Sequence, residues 1–294
     1  MLSENTEMKG NNLIVEKDAA VKTTKCLNCE TEFEGKFCPE CGQRADTGRF
    51  TVSFIFTNFL QGILSNDGGV WFTLKNLFTR PGQMMIDIIN GKRKSYFSPF
   101  PMLFLTLSLY VIIFAFTGSK DDDFSVGDLD KVEVTTENQG NNNDNILRDK
   151  VISYVIVFNN LYKNHYATVM VLTIPLYLFA SRISYGRNNR KRYNWGEYCI
   201  PVVYATILVF LYRCLLSIIF AISDKLYDFL DNWVWVVFLV AFTACFKKML
   251  GFSIVKTVWR TLLMCVVYYA VIILLIVVAG TIFVLINYDA LKSV

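Results

Sequence analysis

The sequence predicts an α-helical integral membrane protein with about five transmembrane helices and additional interfacial helices, preceded by a small cysteine-rich module. Of the 294 residues, 53% are hydrophobic and only 18% are charged, a balance outside the range of soluble domains. Beyond the amino-terminal third, the apolar residues form runs of about 18 or more without a carboxylate, the length that crosses about 30 Å of hydrocarbon. Two C-x-x-C pairs stand ahead of these runs.

Residues 1–25 are expected to be disordered, because they are polar and contain no continuous apolar stretch. They also lack the apolar core of a cleavable signal peptide. The first transmembrane segment is therefore expected to act as the uncleaved insertion signal.

Residues 26–43 contain four cysteines in two C-x-x-C pairs: Cys26, Cys29, Cys38 and Cys41. Each pair can bind from one turn, and two pairs can close on one ion from opposite sides, as the tetrahedral zinc of a zinc ribbon requires. The residues between the pairs, ETEFEGKF, can form a tight two-stranded excursion with Gly35 at its turn. Phe33 and Phe37 are the only sizeable apolar side chains within this excursion, so structural zinc must supply most of the folding free energy of the ribbon. A redox dithiol is the alternative, although the βαβ context that usually accompanies one is missing.

Residues 49–97 are predicted to form cytoplasmic amphipathic helices that lie in the membrane interface. In TVSFIFTNFLQGIL, and again in VWFTLKNLF, the apolar residues fall on one helical face, and QMMIDII forms a third short helix after Pro81. Basic residues of this region would face anionic lipid headgroups, each contributing about 1 kcal/mol near such a surface. The main cluster is Lys92, Arg93 and Lys94. The alternative is that these helices pack beneath the transmembrane bundle.

The knuckles CLNC and FCPECGQ, followed by TLKNLFTRPGQMMIDIINGKRKSYFSPFPMLF, resemble the amino-terminal part of a bacterial membrane-protein family known as domain of unknown function 3667. The resemblance extends from about Cys26 to Phe104, and its most specific part runs from TLKNLFTRPG to GKRKSYFSPF. It implies a bacterial inner-membrane protein with a cytoplasmic ribbon. It implies no activity and no catalytic residues.

Five apolar runs are predicted to span the membrane within residues 98–286. They are Ser98 to Thr117, Tyr166 to Ile183, Tyr198 to Ile222, Trp233 to Phe246 and Thr261 to Ile286. The fourth is the shortest, because Asp231 and Lys247 bracket only a bare membrane thickness. Continuous runs of this length fit helices rather than the alternating segments of a barrel.

The loops between these runs alternate in charge. The stretches GKRKSYFSPF, RISYGRNNRKRYNW and FKKMLGFSIVKTVWR are basic, whereas the outer loop over residues 118–150 and the loop SDKLYDFLDN are acidic. The positive-inside rule therefore predicts a cytoplasmic amino terminus and an outward carboxyl terminus. The formal net charge of +4 follows from this topology, and no nucleic-acid partner is expected.

One charged residue, Arg213, lies deep within a predicted span, about two thirds of the way across the third. It could bind an anionic substrate or lipid, pair with a helix-end carbonyl, or reach outward to Asp224 or the headgroups. The five runs contain no Asp, Glu or His, and the single histidine, His165, stands at the edge of the second span. No histidine-based catalytic pair is possible in the cytoplasmic part, so an enzyme is the least supported class.

The sequence thus predicts a non-enzymatic, multi-pass inner-membrane protein whose cytoplasmic zinc ribbon serves as an anchoring or interaction module. The expected partners are a bilayer with anionic lipids and a cytoplasmic protein. The alternative is a transporter or lipid-handling protein whose helices carry the function, with the ribbon as a structural cap.

Overall fold

The computed structural model describes residues 23–51, 69–117, 166–186 and 192–286, which fall into two units divided between Thr47 and Gly48. Several predicted features lie outside these residues. They are most of the disordered tail over residues 1–25, nearly all of the helix in TVSFIFTNFLQGIL, the acidic loop over residues 118–150 and His165.

The first unit is a small ribbon built from two turns. Strand β1 (Thr24–Lys25) pairs antiparallel with strand β2 (Glu32–Phe33), so the ribbon begins before its first cysteine. An isolated antiparallel bridge joins Phe37 to Arg44. Each C-x-x-C pair therefore lies in a turn closed by its own short ladder. The segment ETEFEGKF does not fold back on itself as expected, because its two halves pair with residues outside the cysteine pairs.

The second unit is a bundle of helices. In chain order the helices are α1 (Val70–Thr79), α2 (Pro81–Ile89), α3 (Pro99–Thr117), α4 (Tyr166–Gly186), α5 (Trp195–Ile222), α6 (Asp224–Asp231), α7 (Val234–Leu250) and α8 (Ile254–Ile286). Helices α3, α4, α5 and α8 are each long and apolar enough to cross a membrane. Helices α6 and α7 together are also long and apolar enough to form one span, which is bent by 46° between them. The predicted class, a helical membrane protein with about five spans, is confirmed, since the described part of the chain contains four to five helices that could cross a membrane.

The last two spans have bounds that differ from the predicted ones. Helix α7 continues through Lys247 and Lys248 and is closed by Gly251, whose φ of 67° is left-handed. Helix α8 already begins at Ile254, so Lys256 lies in its first turn. The predicted loop FKKMLGFSIVKTVWR is thus a short turn between two helices. The reason is that basic residues mark the edge of a membrane without ending a helix.

Helix α5 lies at the centre of the bundle. It packs against α3, α4 and α7, and every residue from Gly196 to Ile207 is buried. A helix that is apolar on all sides fits such an interior position. Over Ile254–Val278, helix α8 in contrast exposes most of its apolar side chains, as a helix in contact with lipid does.

Helices α1 and α2 differ in how far they join the bundle. Helix α2 packs against α7 and buries Met84 and Met85 completely. Helix α1 buries Leu77, but Trp71 is 79% exposed and Phe78 is 65% exposed. Helix α2 therefore packs against the bundle, whereas α1 exposes an apolar face on the surface of the bundle.

Candidate metal centre and polar clusters of the bundle

The four predicted metal ligands come together in the ribbon. The Sγ atoms of Cys26, Cys29, Cys38 and Cys41 all lie within 4.8 Å of one another. The Cys26 and Cys41 sulfurs are 3.5 Å apart, those of Cys29 and Cys38 are 3.4 Å apart, and none of the four is in a disulfide. Sulfurs bound to one zinc ion at about 2.3 Å lie about 3.8 Å from each other along the edges of the tetrahedron. The donor set and its spacing therefore fit a tetrahedral metal ion.

The two knuckles hold their sulfurs with the same backbone hydrogen bonds. The amide of the first cysteine in each pair donates to the carbonyl five residues later, and the amide four residues later donates back to that cysteine. The residues at this fourth position, Glu30 and Gly42, both have left-handed backbone, with φ of 68° and 71°. Glycine adopts this conformation freely, whereas a residue with a Cβ is strained by roughly 1–2 kcal/mol. The first knuckle therefore carries backbone strain that the second avoids.

The cysteine sulfurs differ in how readily they ionise. Hydrogen bonds with Thr31 lower the pKa of Cys29 to about 6, whereas burial raises the pKa of Cys41 to about 12. Because the thiolate is the form that binds metal, Cys29 offers an ionised sulfur at neutral pH. Cys41 would release its proton when the ion binds.

The ribbon has a very small apolar core. Cys26, Cys38 and Phe33 form this core, and Phe33 is 6% exposed. Phe37, the other aromatic residue of the segment ETEFEGKF, is 59% exposed, and Leu27 is exposed as well. Phe37 points outward because its backbone bridges to Arg44 on a different ladder from the one that buries Phe33.

The residues predicted to meet lipid headgroups lie in the turn between α2 and α3. Arg93 is engaged with the protein: its Nη2 donates to the Gly48 carbonyl at 2.5 Å, and its guanidinium lies 4.8 Å from the centre of the Phe50 ring. Burial lowers the pKa of Arg93. Lys92 and Lys94 on either side are half-buried, and their contact with headgroups stays a prediction.

Arg49 holds the chain that follows the ribbon against the start of α5. Its Nε donates to Glu197 Oε1 at 2.9 Å and its Nη2 to Oε2 at 2.6 Å, while Nη2 also reaches the Arg192 carbonyl at 2.8 Å. The Glu197 side chain is 2% exposed. Glu197 also completes a capping box: its backbone amide donates to the Asn194 side-chain oxygen, and its carboxylate accepts from the Asn194 backbone amide. One carboxylate thus caps α5 and fixes Arg49.

A glycine permits this close approach. A Cβ added at Gly196 would lie 2.5 Å from the Phe50 carbonyl oxygen and 2.8 Å from the Thr51 carbonyl carbon. The backbone of residues 49–51 therefore passes directly over the first turn of α5, and we refer to Arg49, Gly196 and Glu197 as the clamp. Sequence reasoning missed the clamp, although the N-x-x-E pattern at residues 194–197 indicates a capping box.

Arg213, the predicted intramembrane residue, forms an ion pair with Asp231. Its Nη1 lies 2.5 Å from Asp231 Oδ1, and its guanidinium lies 4.6 Å from the centre of the Tyr166 ring. The aspartate expected from sequence was Asp224. Asp231 is the partner instead, because α6 turns the chain back along α5 and brings its far end level with Arg213. A carboxylate therefore balances the charge of this arginine.

Comparison with known proteins assigns a family to one segment of the bundle. Residues 67–111 match the family described as "Protein of unknown function (DUF3667)". The family resemblance seen in the sequence is thereby confirmed. The match covers α1, α2 and most of α3, and it does not include the cysteine pairs. No curated protein and no solved structure matches the chain.

The DUF3667 segment fixes the start of the first span through polar side chains. The Phe97 amide donates to Thr73 Oγ1 at 2.7 Å, and the Phe97 carbonyl accepts from the Tyr204 hydroxyl of α5 at 2.5 Å. The Tyr96 hydroxyl donates to Asp87 Oδ2 at 2.9 Å. These hydrogen bonds tie α1, α2 and α5 to the residues just before α3. The DUF3667 segment is thus a structural unit that joins the two short helices to the bundle.

Proposed function

We propose that the protein is a non-enzymatic, membrane-anchored interaction protein in which a zinc ribbon recognises a cytoplasmic protein. The distribution of apolar side chains in the ribbon carries this proposal. Phe33 is buried with two of the cysteines, whereas Leu27 and Phe37 are exposed. A module organised by a metal ion presents such side chains on fixed turns, and exposed aromatic residues are typical anchors of protein interfaces.

Zinc is the metal that we propose for the ribbon. Four thiolates in a tetrahedral arrangement select zinc or iron–sulfur chemistry. Close sulfur contacts join Cys26 to Cys41 and Cys29 to Cys38, which belong to different C-x-x-C pairs. A redox dithiol would bring together the two sulfurs of one pair. The arrangement therefore favours a metal ion over a dithiol.

We place the basic end of the bundle in the cytoplasm, at the inner membrane of a bacterium. A Cβ at Gly82 of α2 would lie 2.7 Å from the Lys248 Cβ near the end of α7, so the DUF3667 segment lies at the same end as Lys247, Lys248 and Lys256. The positive-inside rule assigns that end to the cytoplasm. No nucleic acid is part of the proposal.

Anionic lipids are the proposed membrane partner at this end. Trp71, Lys75 and Phe78 follow one another at helical spacing along the exposed face of α1. A lysine between two aromatic rings suits the boundary between headgroups and hydrocarbon, where the rings insert and the amine contacts phosphate. Lys92 and Lys94 add positive charge in the following turn.

The proposed recognition is tested by crosslinking the full-length protein in cells and comparing three variants. Cys26→Ser with Cys29→Ser removes the metal, and Leu27→Ala with Phe37→Ala alters the exposed surface while keeping all four cysteines. Glu34→Ala, an exposed neighbour in the same ribbon, is the matched control.

We expect one crosslinked protein to persist with the control and to be lost with both double variants, provided that each is inserted and that the surface variant retains zinc. A crosslinked protein that survives Leu27→Ala with Phe37→Ala would contradict recognition by the ribbon surface.

A transporter or lipid-handling protein is the second candidate. The observation that favours it is the bend within the fourth span, beside the ion pair of Arg213 and Asp231. Broken helices with charged residues are common at transport sites. This candidate predicts that Arg213→Leu abolishes ion flux or lipid transfer in vesicles, whereas loss of the ribbon cysteines leaves that activity intact.

A further inference from the structure

Helix α6 is strongly amphipathic, with its two faces clearly separated. Asp224, Asp228 and Asp231 recur at helical spacing and lie on one face. Leu226 and Phe229 lie on the opposite face. A helix on the surface of a soluble protein turns its apolar face toward the core, so the direction of each face in this bundle is informative.

The side of α6 turned toward the bundle carries Tyr227, Leu230 and Asp231, which are half-buried, whereas Asp224 and Asp228 are exposed. Asp231 is paired with Arg213 of α5 at 2.5 Å. On the same side, the Tyr227 ring meets the Phe220 ring of α5 edge to face, with centroids 5.1 Å apart. No side chain of α6 is buried. The apolar face, opposite the ion pair, is therefore directed away from α5.

Short connections keep α6 beside the membrane. It begins two residues after α5 ends at Ile222, and α7 begins at Val234, three residues after α6 ends. The residues that flank α6 also expose large apolar side chains: Ile222 at the end of α5, Trp233 in the turn before α7, and Trp235 in the first turn of α7. At 1.5 Å per residue the 17 residues of α7 extend about 26 Å, less than the hydrocarbon thickness of about 30 Å. Helix α6 supplies the missing length of the fourth span.

We infer that α6 is the interfacial part of a broken fourth span, and that its Leu226, Phe229 and the following Trp233 contact the phospholipid bilayer. The ion pair between Arg213 and Asp231 holds the side of α6 that carries Asp231 toward α5 and so directs Leu226 and Phe229 toward lipid. Arg213 is a positioning residue in this arrangement. Tryptophan and other aromatic residues concentrate at the boundary between headgroups and acyl chains, where the interfacial part of a span lies.

The test uses Trp233 as a fluorescent probe of its own surroundings. The chain has five tryptophans, and replacing the other four with phenylalanine leaves Trp233 as the only emitter. The full-length protein is reconstituted in phosphatidylcholine vesicles whose acyl chains are brominated either near the headgroup or near the terminal methyl group. We expect loss of Trp233 emission with bromine near the headgroup, a smaller loss with deep bromine, and little quenching by aqueous iodide.

Two results would overturn the inference. Strong quenching by iodide would place Trp233 in water. No quenching by iodide or by either brominated lipid would mean that protein covers Trp233, for example residues 118–165 of the same chain. Trp233→Phe in the otherwise unchanged chain gives an independent measurement that does not depend on the fourfold substitution. It should remove a component of the emission that is sensitive to bromine near the headgroup and insensitive to iodide.

The role of the ion pair is tested with Asp231→Asn and the matched control Asp228→Asn, one turn away on the same helix. Asp231→Asn should raise iodide quenching of Trp233 and reduce its quenching by shallow bromine, whereas Asp228→Asn should change neither. Equal responses to both substitutions would refute the positioning role. A chain with Trp235 as its only tryptophan should keep its bromine quenching with Asp231→Asn, which distinguishes reorientation of α6 from unfolding of the span.

Discussion

Substituting Gly196 with alanine should open the clamp. The new Cβ would stand 2.5 Å from the Phe50 carbonyl oxygen, and reaching an ordinary contact of 3.4 Å requires a shift of 0.9 Å (3.4 − 2.5). The backbone of residues 49–51 cannot move that far without disturbing its anchors. Those anchors are the hydrogen bonds of Arg49 to Glu197 and the buried ring of Phe50.

The cost of this clash can be bounded in two ways. Overpacking a close contact costs about 1–3 kcal/mol. Releasing the segment instead exposes Phe50, which costs about 1.5–3 kcal/mol, and loses the pair of Arg49 and Glu197, which contributes up to about 1 kcal/mol because Arg49 is largely exposed. Overpacking and release therefore cost similar amounts of free energy. We expect local opening to become easier by about 1–3 kcal/mol, roughly a 5- to 140-fold increase in its equilibrium constant.

Trypsin cleavage after Arg49 measures this opening directly, because the closed clamp holds that side chain against Glu197. The rate at this bond is followed by mass spectrometry on the purified full-length protein. Gly48→Ala is the matched control, since a Cβ at Gly48 has nothing within 4 Å, and its cleavage rate should stay close to that of the unsubstituted chain. Equal cleavage of Gly196→Ala and Gly48→Ala would refute the clamp.

Three further predictions concern the ribbon. Gly42→Ala should weaken zinc binding by about 1 kcal/mol or more, because φ at residue 42 is 71° and an alanine there is strained. Glu30→Gly should relieve the strain at residue 30 and bind zinc at least as tightly as the unsubstituted chain. Competition with a chelating dye measures both affinities, and weaker binding by Glu30→Gly would contradict the shared knuckle geometry. Phe33→Ala should lower zinc affinity more than Phe37→Ala, because Phe33 is buried and Phe37 is exposed. Zinc titration followed by circular dichroism measures both affinities, and equal losses would contradict the prediction. Removing the metal with a strong chelator should speed trypsin cleavage after Lys36, and an unchanged rate would show that the ribbon folds without metal.

The sequence was sufficient for features that depend on local pattern. The clustering of four cysteines that could hold a metal ion followed from the spacing of the two C-x-x-C pairs, which repeats in the matched turns around Cys26 and Cys38. The membrane class followed from the length of the apolar runs. Both signals are contained within short stretches of chain, so no knowledge of distant contacts was needed.

The features that the sequence did not indicate depend on contacts between distant residues. Arg49 and Glu197 are 148 positions apart, and no local pattern links them. The partner of Arg213 depended on the direction in which α6 leaves α5, which decides between Asp224 and Asp231. The direction of Phe37 likewise depended on which residues pair across the ribbon. Side-chain direction and long-range pairing are set by tertiary structure and are weakly encoded in local composition.

The measurement that tests the central claim most directly is the metal content of the purified full-length protein. Elemental analysis should find about one zinc ion per chain, bound through four thiolates, and Cys29→Ser with Cys38→Ser should abolish it while the helices remain inserted. A chain without stoichiometric metal, or one whose ribbon cysteines are joined in disulfides when it is isolated, would contradict the account of a zinc-organised ribbon in a membrane protein.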